Sequence, residues 1–323
     1  MLTRRALSLL PILATLPSPS QAQDFPTHPG RVVIPFAPGA ATDILARLMA
    51  AQLGEALGQP FVAENRTGAN GAIGAELVAR APKDGHTLLM GTFSTHATNP
   101  QIYANTPYDP VRDFAPVTLV ATVPMVLAVN PATGLRDVAG LIDAARRRPG
   151  MLTSATGGLG SSQHLSAVLF ERAAGVRLDI IHYARGFATV IPDLLENRVN
   201  MTFGDPLSLL PTIREGKLRA LAVTSAQRTE MLPEVPTMAE AGLPGAAAVT
   251  WYGLFVTGGT PQPIVDRLGQ VAGEAVRKPA VTARIRELGA VPSGIPPAEF
   301  AAFVRSELER WGAVIRDAGI RVE

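Results

Sequence analysis

Residues Arg31–Leu57 read RVVIPFAPGAATDILARLMAAQLGEAL, and this stretch decides the fold. Val32, Val33 and Ile34 form a short β-branched run, which predicts a strand over 31–36. Pro35, Pro38 and Gly39 keep the following turn irregular. An amphipathic helix is predicted over 42–57, with Ile44, Leu45, Leu48, Met49 and Leu53 as its buried stripe. Thr42 is a candidate cap, and Asp43 suits the positive end of the helix dipole. A strand feeding a helix through such a turn leaves backbone N–H groups facing a crevice, where an anion such as a carboxylate can bind. Taken alone, the stretch reads first as an ordinary strand-to-helix turn of an α/β protein.

Outward from it, strands and helices alternate: strand 61–64, helix 71–80, strand 87–91. Alternation of this kind predicts parallel βαβ units in a doubly wound sheet. Asn99 to Pro116 is polar and proline-rich and reads as a surface excursion. Val117 to Val129 is one long apolar run interrupted by Pro124, long enough to leave one lobe and enter another. A second alternating unit follows, with helices 137–147, 161–173, 188–196 and 206–215 and strands 152–156, 178–182, 199–203 and 218–224. A Pro/Gly-rich return, Arg228 to Gly245, leads to a strand at 251–256, two helices at 262–277 and 280–288, and a last helix entered at Pro296-Pro297. In that last helix Phe300, Val304, Leu308, Trp311 and Ile315 recur at helical spacing, so one face is docked. The predicted fold class is α/β, with two doubly wound lobes joined by two crossover strands. Lobe 1 is expected to hold 24–124 and 245–323, and lobe 2 125–244.

The 323 residues suffice for two such lobes. Thr3-Arg4-Arg5, an apolar core from Ala6 to Leu16 and Ser20-Gln21-Ala22 read as an export signal over 1–22, cleaved after Ala22. Its core is too short to span a bilayer, and the arginine pair also permits the twin-arginine route. Loss of Arg4 and Arg5 takes the formal charge from +2 to zero, and no basic patch with interleaved aromatics points to nucleic acid. The absence of cysteine excludes a thiol nucleophile, a thiolate metal site and a disulfide frame. The expected product is a soluble monomer outside the cytoplasm, without a cofactor or metal.

Four loops follow predicted strand ends, where doubly wound sheets bind ligands. The first, Pro35 to Asp43, offers Phe36, Pro38, Gly39, Ala40, Ala41, Thr42 and Asp43. The second, Gly91 to Asn99, is dense in hydroxyls and amides, with Ser94, Thr95, His96 and Asn99 as candidates. In the third, Thr156, Gly157 and Gly158 allow close approach, Ser161 can cap a helix, and His164 sits one turn in. The fourth supplies Arg185, Gly186 and Phe187, and Asp205 precedes Pro206 as a helix-entry residue with a pocket role in second place. Each has a structural alternative: a turn closure for Ser94 and Thr95, a cap for Ser161, a packing histidine for His164, a surface cation for Arg185. Many neutral donors and one cation suit carboxylates. An enzyme is disfavoured, because Gly158–Gln163 completes neither a dinucleotide fingerprint nor a nucleophile elbow, and the five histidines form no metal motif.

These loops, in this order, resemble the solute-binding receptors of tripartite tricarboxylate transporters, the TctC-like or Bug family. The resemblance is carried by Pro29–Gly39, Thr42-Asp43, Glu64-Asn65-Arg66, Asp84–Leu89, Pro107–Pro110, Asp113–Pro116, Gly160–Leu165, Gly216–Thr224, Pro233–Thr237 and Ala239–Gly245. It spans the whole mature chain. It implies a type II periplasmic binding protein whose lobes close on a carboxylate-bearing molecule and pass it to two integral membrane subunits. It also implies that loops like Phe36–Asp43 and Thr156–Ser161 hold one carboxylate through amides, hydroxyls and waters. Segments like Ser94–Asn99 and Arg185–Phe187 would meet the rest of the ligand. This chain departs from the family pattern at Ala40, Ala184, Phe187 and Gly204-Asp205. Phe187 is expected to narrow the far end and favour an apolar or aromatic body over a tricarboxylate, with Arg185 able to pair a second carboxylate. A receptor that presents its ligand to a periplasmic sensor, or less favourably a secreted hydrolase, is the alternative.

Overall fold

The computed structural model describes residues 25–183 and 186–321. The export signal and Arg185 therefore lie outside the described residues. The chain forms two sheets flanked by helices. The first is built from β1 (Gly30–Ile34), β2 (Phe61–Asn65), β3 (Thr87–Thr92), β4 (Phe114–Pro124), β10 (Val249–Thr257) and β11 (Val291–Ile295), in the order β11-β4-β10-β3-β1-β2. The second comprises β5 (Val126–Val129), β6 (Thr153–Thr156), β7 (Asp179–His182), β8 (Met201–Gly204) and β9 (Arg219–Val223), in the order β7-β6-β8-β5-β9. β4 and β5 are separated by Met125 alone, so the run read as one long strand serves both sheets. Thr224 fastens this crossing. Its hydroxyl accepts the Met125 N–H at 2.8 Å, its N–H donates to Met125 O at 2.9 Å, and its carbonyl accepts the Ala248 N–H of the returning segment.

The sheets are mixed, which differs from the expected parallel units. β1 pairs in parallel with β2 and β3, and β6 with β7 and β8, but β10 runs antiparallel to β3 and β4, and β5 antiparallel to β8 and β9. The strands that run against the βαβ direction are β5 and β10, each reached from the other sheet, together with the edge strand β11. β11 is an additional edge strand, antiparallel to β4. Its sequence, VPSGI, carries a proline and a glycine that argue against a strand interior, and an edge position tolerates both.

The helices are α1 (Ala41–Leu57), α2 (Ala72–Ala79), α3 (Asn99–Ile102), α4 (Val138–Arg147), α5 (Ser162–Ala174), α6 (Val190–Leu195), α7 (Pro206–Arg214), α8 (Gln262–Arg277), α9 (Pro279–Glu287) and α10 (Pro297–Asp317). None among the described residues is long and apolar enough to cross a membrane. α1 ends at Gly58, whose left-handed backbone lets its N–H reach Gly54 O. α10 buries Phe300, Val304, Trp311 and Ile315, and Leu165 and Leu169 of α5 join the same apolar cluster, so the two sheets' helices pack on one another.

The centre of that cluster holds a carboxylate. The indole N–H groups of Trp251 and Trp311 both donate to Glu307 Oε2, at 3.1 and 3.0 Å. Burial pushes the Glu307 carboxyl upward in pKa, and the indoles and Arg310 oppose it. Glu307→Ala strands two buried donors and is expected to destabilise the fold by roughly 2–5 kcal/mol. Glu307→Gln keeps an acceptor and should cost clearly less, as read from urea midpoints.

Candidate functional site

The first loop is held from beneath. Asp43 does not face outward: Oδ2 accepts the Gly39 N–H at 3.0 Å, Oδ1 accepts Asn65 Nδ2 at 2.9 Å, and Arg47 closes a salt bridge at 2.9 Å. Burial works to raise the Asp43 pKa, but the Arg47, Gly39 and Asn65 hydrogen bonds outweigh it and hold the carboxyl down at about 2. Asn65 also donates to Phe36 O, so one charged cluster fixes both ends of the turn. Gly39 takes φ +84°, which a side chain would resist. Asp43 is thus a buttress, a correction to its expected role as a ligand contact.

The cap also differs. α1 begins at Ala41, Ala40 occupies the cap position, and no side chain caps the helix; Thr42 is already inside the first turn. The Ala41 and Thr42 N–H groups have no acceptor within the described residues. Ala37–Ala40, which includes Pro38, is exposed beside them, with Phe36 half-buried. A helix N-terminus with free donors and no capping oxygen favours a nearby anion.

The second loop is helical instead of irregular, a single π-helical turn over Ser94–Thr98 leading into α3. Reciprocal bonds build it: Thr92 N–H donates to Thr95 Oγ1 at 2.9 Å, and Thr95 N–H to Thr92 Oγ1 at 3.3 Å. The fully buried His96 stacks on Phe255 at 3.8 Å and meets Phe114 edge-on, and burial lowers its pKa to about 3. Asn99 exchanges two hydrogen bonds with Asn70. Thr95, His96 and Asn99 therefore point their polar atoms into the interior, against expectation, because tertiary stacking claims the histidine and pairing claims the amide. Ser94 is the half-exposed candidate of this loop.

In the third loop Ser161 caps α5 as expected, its Oγ accepting the His164 N–H at 3.3 Å and donating to Gly158 O at 2.7 Å. Gly158 lies at φ +132°, and the Gly160 N–H donates to His164 Nδ1 at 3.0 Å. Thr156 Oγ1 pairs with His182 Nδ1 at 2.8 Å, and the His164 and His182 rings meet at 4.6 Å. Burial, then the neighbouring His182, lowers the His164 pKa to about 4. His164 is thus a neutral strut that shapes the loop from within, while Gly157, Gly158 and Ser161 are half-buried at its surface.

Of the fourth loop, Gly186 closes a turn onto Tyr183 O, and Phe187 opens a short 3₁₀ turn. Asp205 caps α7, accepting Ser208 N–H and Oγ at 2.9 Å each. Sequence reasoning passed over Tyr252. Its phenol lies against the Thr42 side chain and within the field of Asp205; burial raises its pKa first, and the Asp205 charge adds to this. It stands where the starts of α1 and α7, one from each half of the chain, approach one another. Its place beside the core residue Trp251 on a strand, where neighbours face opposite ways, was the available signal.

Metal-ligand spacing occurs once among the described residues, at His28, Asp84 and His86. There His86 Nε2 accepts the Thr27 N–H, Nδ1 contacts Asp84 O, and the two rings stack at 3.7 Å. Stacked rings aim their lone pairs side by side, so the group fits a packed N-terminal lead better than an ion.

A stability test follows from the two buried imidazoles. The folded pKa values near 4 for His164 and near 3 for His96 lie below the ordinary 6.5. The unfolded chain therefore takes up protons first as pH falls. Stability is complete above about 6.5 and declines below it, at about 1.4 kcal/mol per pH unit per histidine. His164→Gln should remove one proton's worth of that slope between pH 6 and 4.5 in urea titrations.

With this geometry in hand, comparison with known proteins is informative. Residues 45–320 match the family model "Tripartite tricarboxylate transporter family receptor". The chain is 41% identical, over 94% of its length and 91% of the relative's, to the UPF0065 protein in the tcbD-tcbE intergenic region of Pseudomonas sp. strain P51. Among solved structures it resembles R. palustris Rpa4515 with adipate, at 41% identity and TM-score 0.81, covering 92% of this chain and 99% of that one. It also resembles MatC from Rhodopseudomonas palustris with bound malate, at 34% identity and TM-score 0.76, covering 90% and 100%. The two-sheet α/β architecture is that of the periplasmic binding proteins, and the chain belongs to the TctC family of tripartite tricarboxylate transporter receptors.

Proposed function

We propose that this receptor captures a small carboxylate between its two sheets, one carboxylate group resting on the start of α1 and on the Gly157–Ser161 loop. The observation that carries the reading is the uncapped start of α1, whose Ala41 and Thr42 N–H groups have no acceptor among the described residues. The adipate and malate named with two similar structures support the ligand class. Lobe 1 comprises 24–124 with 245–323 and lobe 2 comprises 125–244, consistent with the sheet membership of β4 and β5 on either side of Met125. Ser94, Gly186, Phe187 and Tyr252 face the remainder of the ligand, and Asp205 shapes that end through its cap. The protein acts outside the cytoplasm, exported by the leader at 1–22, delivers its ligand to two membrane subunits and does not transform it. Two hydroxyl–imidazole pairs, Thr95 Oγ1 with His96 Nδ1 and Thr156 Oγ1 with His182 Nδ1, both at 2.8 Å, support binding over catalysis, since both hydroxyls are fully buried.

Ala41→Pro tests the anion site. Proline suits the first helical position, and Ala40 at φ −70°, ψ 160° already has the backbone that precedes a proline. The substitution removes one donor and should weaken binding of adipate or malate tenfold or more by calorimetry, with melting temperature unchanged. Unaltered affinity would place the carboxylate elsewhere.

A further inference from the structure

We infer that Gly204, through Phe187, sets which carboxylates the cleft accepts. The inference rests on the proposed carboxylate site and concerns its far end. β6 and β8 are parallel neighbours with Ser154 opposite Met201 and Ala155 opposite Thr202. That register carries Gly157 and Gly204 to adjacent positions on one face, at the strand ends where α/β sheets hold ligands. Neither glycine has a positive φ, so the backbone does not require them. Space does. A methyl group on Gly204 would lie 2.5 Å from Phe187 Cζ and from Leu209 Cδ1, and one on Gly157 would lie 3.3 Å from Phe187 Cβ. Two missing side chains in register thus make a shelf, and Phe187 is laid across it.

Phe187 is half-buried and packs with the apolar cluster of Val126, Val190 and Leu209, which holds the ring in place. The result is a fixed apolar wall instead of a mobile side chain. Such a wall offers contact area to a methylene chain or an aromatic ring and no hydrogen bond to a hydroxyl. The ligand class is therefore a carboxylate with an extended or flat apolar body, in preference to short hydroxylated acids. Gly204 is a positioning residue: any side chain there must displace the ring.

The test is a calorimetric cycle with adipate, benzoate and malate on the wild type, Phe187→Ala, Gly204→Ala and the double variant, with melting temperatures alongside. The wild type should favour adipate or benzoate over malate by tenfold or more. Each single variant should reduce that ratio at least fivefold, and the double variant should fall no lower than Phe187→Ala alone, because Gly204 acts through the ring. A wild-type preference for malate, a ratio indifferent to both variants, or effects that multiply in the double variant would overturn the inference. If Gly204→Ala does not fold, Gly157→Ala takes its place in the cycle with the same expected outcome. If none of the three acids nor citrate binds the wild type, the carboxylate site itself fails; binding with an unaltered ratio removes only the shelf.

Discussion

The proposed site places one requirement on the start of α1: two main-chain donors stay unpaired while the helix above them remains stable. A serine or aspartate at the cap would satisfy the helix and close the site. This chain places alanine there and puts its acid three residues later, where Asp43 turns back to the Gly39 N–H. A bare carboxylate so close would repel an incoming anion. Arg47 lies on it and Asn65 bridges it to the loop backbone, so its charge is offset locally and the dipole end stays attractive.

The same logic explains why the halves of the chain meet as they do. The donors of α1 belong to one sheet and the Gly157–Ser161 loop to the other, so the proposed ligand would join the two halves of the chain on either side of the crossing strands. Met125 and Thr224 form that crossing with three hydrogen bonds that involve one buried side chain. A crossing confined to two short segments is the kind of place where hinged proteins concentrate rotation on a few backbone torsions.

Much of this was legible in the sequence where periodicity carries the information. α1, α5 and α10 were readable from apolar spacing, and the crossing from the long run broken at Pro124. β11 was not, since a strand containing proline and glycine exists only because β4 leaves an edge for it. The loops were identifiable because glycines, prolines and hydroxyls cluster at strand ends. The aim of individual atoms was not. Residue type cannot tell that His96 is stacked on Phe255, that Asn99 is paired with Asn70, or that Asp43 supports the turn from behind. Tyr252 was overlooked because its position depends on two helix starts from distant parts of the chain.

The Trp251–Glu307–Trp311 arrangement has a practical consequence. The chain contains two tryptophans, and both are fully buried in the same cluster, bonded to one carboxylate and packed against the second loop, where Phe93 meets Trp311 at 4.9 Å and His96 meets Trp251 at 6.3 Å. Intrinsic indole emission therefore reports the integrity of the first sheet's helical cover and of the loop packed against it. With both indoles shielded from solvent, a titration followed by that emission registers a solute only through a shift of that loop, and calorimetry is the direct detector of binding.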